Sequence, residues 1–295
     1  MPHTTQRIEP PPISLGEDQP VYSGDTSIAA HATLFDRVAS LDAQKNTSIP
    51  LNAARQLASR RASFAWFDTW LGAQQIEGAQ ALDLGCGRGE VSAQLALLGA
   101  EVTGVGISTE SLSRARRLAQ AQGVANRIEL MEGNVESLPF DDNRFDLAVS
   151  AGVMSFVDFD RAVAELARVV KQDGSAVILD TLGHNPIARL GRRRHLVSGR
   201  TTRFQVENIL TCSHLDRLRA HFGQVDVQVF DLLTVPMIFI ESALNRVHPT
   251  LGKLCAPFAS GLRALDRVAL KWRPLRRYAF RVVVVVKSPR SHIRD

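Results

Sequence analysis

Between Ala79 and Glu90 the chain reads AQALDLGCGRGE, and this stretch limits the fold more than any other. Ala79, Ala81 and Leu84 mark a short buried strand around Asp83. Gly85, Gly87 and Gly89 then alternate, and a helical run opens at Glu90. Strand, glycine turn and helix in that order make a nucleotide-site arrangement. The glycines let the backbone turn sharply and let a ligand come closer than a Cβ would allow, while the helix start offers unpaired N–H groups.

The spacing separates two kinds of nucleotide site. In the dinucleotide pattern G-x-G-x-x-G the third glycine would fall on Glu90. A carboxylate there is a poor neighbour for a pyrophosphate and a good one for a cationic cofactor without phosphate. The stretch resembles the first motif of the class I S-adenosylmethionine-dependent methyltransferases, an acidic residue followed after one position by G-x-G-x-G. The resemblance runs on through Lys171 to Gly174.

Strands and helices alternate after the glycine turn. Val91 to Leu98 reads as a helix, Glu101 to Val105 as the second strand, and Thr109 to Gln122 as a helix with Ser108 as its N-cap and Gly123 closing it. Strands follow at Ile128 to Met131, Phe145 to Val149 and Ser175 to Asp180, with a helix over Asp160 to Val170. This order predicts an α/β, Rossmann-like, doubly wound sheet with its ligands at the carboxyl ends of the strands. Thr181 to Thr211 reads as a long connection, Ser213 to His221 as a helix and Val225 to Phe230 as a strand. Leu232 to Leu244 reads as a buried helix, since Pro236 and Glu241 interrupt a run too short to span a bilayer. Phe280 to Val286, FRVVVVV, is β-branched enough to be buried on both faces. The resemblance implies seven strands, mostly parallel, with Tyr278 to Lys287 as an antiparallel last strand between the fifth and the sixth.

Three regions are expected. Residues 1–25 hold five prolines and little apolar content and read as a flexible tail. Residues 26–75 carry helical stripes, Ala29, Leu34, Phe35, Val38 and Leu41, then Leu57, Phe64, Trp66, Phe67 and Trp70. These helices either simply cover one edge of the sheet or, as the resemblance implies, also form an N-terminal helical lid, with Tyr22, His31 and Phe35 as substrate neighbours. Residues 76–295 form the core, with a helical insertion at about 231–277.

By resemblance, the cofactor residues are Asp83 toward the amino acid end, with Gly85, Gly87 and Gly89 beside it. The family's usual ribose acid at the end of the second strand is replaced by Gly106, so Gly106, Ile107 and Ser108 are the substitute contacts. Gly133, Asn134 and Val135 match the family's G-D-A stretch, where the Asn134 amide oxygen would take the adenine amino group. Leu138, Pro139 and Phe140 repeat the family's L-P-F. Ser150, opening SAGVMSFVD, stands at the end of the fourth strand, with Ser155 and Phe156 where the family often has Glu-His.

Methyl transfer needs alignment and, for some acceptors, a base. His184, in DTLGHNP after the fifth strand, is the candidate base; Asn185 beside it either orients substrate or starts the turn. Arg189, Arg192, Arg193, Arg194, Arg200 and Arg203 crowd the following connection, and Arg200 is the expected inward member toward an acidic acceptor.

The expected partner is a small-molecule acceptor, anionic or apolar, in specialised (natural product) metabolism. No Asn/Asp-Pro-Pro-Tyr follows the fourth strand, which argues against methylation of nucleic acid bases. No cluster of His, Cys and carboxylates reads as a metal site. Cys86, Cys212 and Cys255 are odd in number and widely spaced, and MPHTTQRIEPPP has no apolar signal core, so a cytoplasmic setting is expected. The net charge of +5 is concentrated after Arg189, and Arg263, Arg267, Lys271, Arg273, Arg276, Arg277 and Arg281 allow peripheral contact with an anionic surface. The rival readings are therefore a nicotinamide-dependent oxidoreductase and a non-catalytic protein bound to such a surface. Acceptor, acceptor atom and oligomeric state are not legible in the chain.

Overall fold

Val282, Val284 and Val286 pack on one side of a sheet and Val283 and Val285 on the other, so this run is the spine between two cores. The computed structural model describes residues 31–33, 35, 36, 62–197, 203–237, 240, 244 and 256–290. One seven-stranded sheet holds them together: β1 (Gln80–Leu84), β2 (Glu101–Gly106), β3 (Ile128–Glu132), β4 (Phe145–Ala151), β5 (Val170–Thr181), β6 (Phe222–Phe230) and β7 (Arg281–Pro289). The order is β3-β2-β1-β4-β5-β7-β6, with β7 antiparallel to both β5 and β6 and the other pairs parallel. The expected placing of the last strand is met.

Nine α-helices have defined bounds among the described elements: α1 (Ala62–Gly72), α2 (Glu90–Leu97), α3 (Thr109–Ala121), α4 (Phe159–Val169), α5 (Pro186–Val197), α6 (Arg203–Glu207), α7 (Cys212–His221), α8 (Ala256–Ala269) and α9 (Arg273–Arg276). Phe67 and Leu71 of α1 and Ala93 and Leu95 of α2 cover one face with Ala81, Val149, Val177 and Val283. Ala162, Val163 and Leu166 of α4 and Leu215 and Leu218 of α7 cover the other with Leu82, Ala148, Ile178 and Val284. The period of two in the strands sorts these side chains between the faces, and each side chain fully withdrawn from water contributes about 1.5–3 kcal/mol.

The second N-terminal stripe packs on the sheet: α1 lies against β6 and β7, and Trp66 meets Phe230 at 6.5 Å between ring centroids. Two expectations are corrected. Strand β5 starts at Val170 rather than Ser175, because Val170 already pairs with Phe145 before a register shift. The described part of the connection after β5 is helical, with Arg189, Arg192, Arg193 and Arg194 on the amphipathic α5 and Arg203 on α6. Residues 1–25, most of 26–61 and much of the insertion, including Leu34, Val38, Leu41, Leu57 and Cys255, lie outside the described residues. Among the described residues, no helix is long and apolar enough to cross a membrane.

Candidate functional site

The strand order reverses between β1 and β4, and the crevice at such a switch point is where open α/β sheets hold ligands. A cavity of about 220 Å³ lies there. One wall comes from the loops after β1, β2 and β3: Gly85, Gly87, Gly106, Ile107, Ser108, Asn134 and Val135. The other comes from the loop after β4, with Val153, Phe156 and Val157, and from the helical residues His31 and Phe35.

The glycine turn is wound left-handed at all three glycines, with φ of 74°, 51° and 81° at Gly85, Gly87 and Gly89. They serve different ends. A Cβ at Gly89 would stand 2.7 Å from Ala115 Cβ, so this glycine lets α2 start against α3, and it does not line the cavity. A Cβ at Gly85 would stand 2.4 Å from Val153 Cγ2, the opposite wall. At Gly87 the nearest atom would be Gly85 O at 4.0 Å, so the missing side chain leaves open space in the cavity.

Asp83 sits beneath this turn, 1% exposed and outside the cavity lining. Its Oδ2 accepts from Ser92 Oγ at 2.6 Å. Burial pushes its carboxyl up to about 7, against the lowering effect of the Ser92 hydrogen bonds and with a small addition from the Glu90 charge. Glu90 itself is in the first turn of α2 and pairs with Arg88 at 2.9 Å.

Gly106 closes β2 at the cavity. A Cβ there would lie 3.4 Å from Leu112 Cδ2 and 3.5 Å from Cys86 Sγ, ordinary contacts, so packing does not forbid a side chain where the family often has an acid. Ser108 caps α3 by accepting from Ser111 N–H at 3.1 Å, and it donates to Asp36 Oδ1 at 2.5 Å. Asp36 was absent from the sequence reading. Its position beside Phe35 in a helical stripe was the signal available, since a carboxylate suits the start of a helix. Asn134 Oδ1 accepts from Glu136 N–H at 2.9 Å in an Asx turn, so a ligand amino group would share that oxygen. Ser150 does not line the cavity, yet its Oγ is the one buried side-chain polar atom without a partner among the described residues, one position before Ala151 of the lining.

The candidate base and acceptor residues divide. His184 lies outside the lining, where its Nε2 accepts a long 3.4 Å bond from Cys212 N–H at the start of α7. Asn185 is buried and engaged at both ends of its amide: Oδ1 accepts from Ile187 and Ala188 N–H as the cap of α5, and Nδ2 donates to Tyr278 O at 2.8 Å. Arg200 falls outside the described residues. The arginine that turns inward is Arg192, which donates to the carbonyls of Leu182 and Gly183. His31 does line the cavity, in edge contact with Phe156 at 5.7 Å and tilted against Phe204 at 5.3 Å. Burial holds its imidazole below the usual range, so it is neutral at pH 7.

One further carboxylate supports this wall without lining it. Asp180, at the end of β5, accepts from Met154 N–H at 3.0 Å and Thr181 N–H at 2.7 Å, and burial raises it to about 6. It ties the loop after β4 to the next strand. The described residues contain no group of three His, Cys, Asp or Glu side chains placed to hold a metal ion.

Residues 82–178 match a family model described as a methyltransferase domain. A curated relative, the 2-phytyl-1,4-naphtoquinone methyltransferase of Trichormus variabilis, is 36% identical over 154 residues, 50% of this chain and 62% of that protein. The chain thus spans about 62% of that relative's length. Two solved structures share the fold. Phosphoethanolamine N-methyltransferase 2 of Haemonchus contortus, in complex with S-adenosyl-L-methionine, aligns with a TM-score of 0.53 at 18% identity over 76% of this chain and 52% of that one. The geranyl diphosphate C-methyltransferase of Streptomyces coelicolor aligns at 0.52 and 18%, over 76% and 78%. The family match covers the strands that form the cavity floor, and residues 82–178 are a methyltransferase domain of the class I, S-adenosylmethionine-dependent kind.

Proposed function

We propose that the protein transfers a methyl group from S-adenosylmethionine, the cofactor of its family, to a small-molecule acceptor with an apolar body. Specialised metabolism in the cytoplasm is the setting this proposal carries over from the sequence. The observation that carries it is the cavity with two unlike walls. Glycine backbone, Ser108 and Asn134 offer polar contacts on one side, and Phe35, Val153, Phe156 and Val157 offer apolar ones on the other.

The residues present fit the cofactor. Gly87 leaves room for close approach, Ser150 holds an unpartnered hydroxyl beside the lining, and no lysine or arginine lines the cavity among the described residues. Glu90, in the first turn of α2, puts a carboxylate where a pyrophosphate would sit, which disfavours that ligand and with it the oxidoreductase reading. In the proposal Gly85 and Gly87, with Asp83 behind them, hold the amino acid end. Gly106, Ile107 and Ser108 hold the ribose, and Asn134 and Val135 hold the adenine. The bound cofactor supplies a methyl group already activated by sulfonium. What remains for the chain is to align the acceptor and, where its nucleophilic atom carries a proton, to take that proton. His31 is the one ionisable side chain among the described lining residues, and burial keeps it neutral at pH 7.

The acceptor reading leans on the aromatic wall, and the relative's phytyl naphthoquinone agrees with it. Calorimetry of the full chain with S-adenosylhomocysteine and, separately, with NAD tests the cofactor assignment. Binding of the first alone is expected, and binding of NAD alone would overturn the reading. Labelled-methyl transfer into extracts fractionated by polarity then tests the acceptor class, with label expected in the apolar fraction.

A further inference from the structure

Helix α8 turns apolar side chains outward. Phe258, Leu265 and Val268, at helical spacings, are 72, 57 and 64% exposed, and Trp272, just beyond the end of the helix, is 73% exposed. Their direction is fixed from the opposite side. Asp266 is buried and accepts from Leu232, Leu233 and Thr234 N–H and from Thr234 Oγ1, which anchors the helix to the turn after β6. Arg267, Lys271, Arg273 and Arg277 are exposed around the stripe.

Helix α5 repeats the pattern. Ile187, Leu190 and Val197 are exposed, with Arg189, Arg193 and Arg194 exposed beside them. The two helices are rooted at one corner of the sheet. Leu182 N–H donates to Phe280 O at 2.8 Å where β5 leaves and β7 enters, and Asn185 Nδ2 reaches Tyr278 O. This corner is on the carboxyl edge that carries the cavity.

Charge complementarity selects the occupant. The segments 186–197 and 256–277 carry ten lysines and arginines and one carboxylate, Asp266, which is buried. Asp231, the neighbouring acid, is buried too and pairs with Arg281 at 3.2 Å. A surface with exposed cations, no exposed carboxylate on those two segments, and an interleaved row of Trp, Phe and Leu matches the interface of an anionic bilayer, where apolar side chains sink below the headgroups that the cations meet. Nucleic acid would use the cations and leave the aliphatic row in water. We infer that the exposed faces of α8 and α5 form a docking surface for the headgroup region of an anionic lipid bilayer. The inference goes beyond the methyl-transfer reading, and its test does not depend on it.

The test uses the full chain in sedimentation with vesicles of phosphatidylcholine alone or with about a third phosphatidylglycerol. The protein partitions at least about tenfold more strongly onto the anionic vesicles, and salt weakens the binding. Leu265→Ser with Trp272→Ser, and separately Arg267→Glu with Lys271→Glu, each lower the partition at least about tenfold while the circular dichroism spectrum is kept. Trp272 fluorescence in the unaltered protein, quenched by brominated lipid and distinguished from Trp66 and Trp70 by a Trp272→Phe control, reports insertion even if a serine variant fails to fold. Equal partition onto the two vesicle types, undiminished binding by a folded variant, or absence of quenching overturns the inference. So does retention of duplex DNA by a protein that ignores vesicles, or a dimer that Trp272→Ser splits, which would assign the face to nucleic acid or to a second copy.

Discussion

Ser108 Oγ donates to Asp36 Oδ1 at 2.5 Å, joining residues 72 positions apart across the mouth of the cavity. The same carboxylate oxygen accepts from Glu110 N–H at 3.3 Å, so Asp36 sits on the first turn of α3 and adds its negative charge where the helix dipole is positive. Just before it in the chain, His31 and Phe35 face the cavity, and Phe35 packs on Phe156 at 5.0 Å between centroids. The bond therefore fastens the wall made by His31 and Phe35 to the floor made by β2 and α3.

It follows that Asp36→Ala should weaken cofactor binding without unfolding the core. Loss of one charge-assisted hydrogen bond is worth about 1.5–3 kcal/mol, roughly a tenfold to hundredfold rise in the dissociation constant if the wall contributes fully. Calorimetry with S-adenosylhomocysteine reads this directly, and Asp36→Asn should fall between the two. An unchanged constant would show that the wall is held by its aromatic contacts alone.

The glycines of the turn should separate by readout. Gly89→Ala places a Cβ 2.7 Å from Ala115 Cβ at a φ of 81°, which strains the backbone and forces α2 from α3. A loss of at least about 1–2 kcal/mol from the left-handed backbone alone is expected in denaturant unfolding. Gly87→Val has no such neighbour and fills cavity space, so cofactor binding should be lost with a smaller change in stability. Equal effects in both measurements would mean that the two positions do not differ in role.

The sheet was legible because its signals are local. The valines of β7, the glycine after β1 and the cap at Ser108 each carry their conformation in their own residue type. The lining was legible where backbone makes it and at His31 and Phe35 of the N-terminal helical stripe. His184 looked eligible because it follows a strand end, but a chain position cannot reveal that the start of α7 would lie 3.4 Å away. Arg192 was hidden among similar arginines, and only the packing of α5 shows that it reaches the carbonyls after β5. The pairing of Asp36 with Ser108 joins distant segments, and no local pattern encodes it.

Cofactor affinity should rise with pH. Asp83 is held near 7 in the folded chain against an ordinary 3.8, mainly by burial. A raised carboxyl favours folding at low pH, fully below the unfolded value, and that contribution is lost as pH climbs from about 3.8 through about 7. The ammonium of S-adenosylhomocysteine favours the ionised form, so binding below pH 7 releases a proton, and affinity should gain up to about tenfold per pH unit there. Calorimetry between pH 5.5 and 8, in buffers of different ionisation enthalpy, measures the released proton on the order of one per site. Asp83→Asn should flatten the dependence; a slope that persists in that variant would move the titrating group to His31.

His31 and His184 can be distinguished by rate. Burial holds His31 below 6.5 beside Phe156 and Phe204, so it stays neutral and able to accept a proton where most acceptor hydroxyls remain protonated. His184 accepts only a long bond from the start of α7 and does not meet the cavity. For an acceptor with an ionisable hydroxyl, His31→Gln should lower kcat by about 10²–10⁴, the usual span for a positioned base, with cofactor affinity nearly unchanged. His184→Gln should alter kcat by less than about threefold on the same scale. The pH profile supplies a second readout that loss of packing cannot imitate. Protonation of His31 should produce an acidic limb below 6.5 in kcat, absent in His31→Gln and present in His184→Gln. If both variants keep that limb, His31 acts only as a wall of the acceptor site, and the proton leaves to solvent.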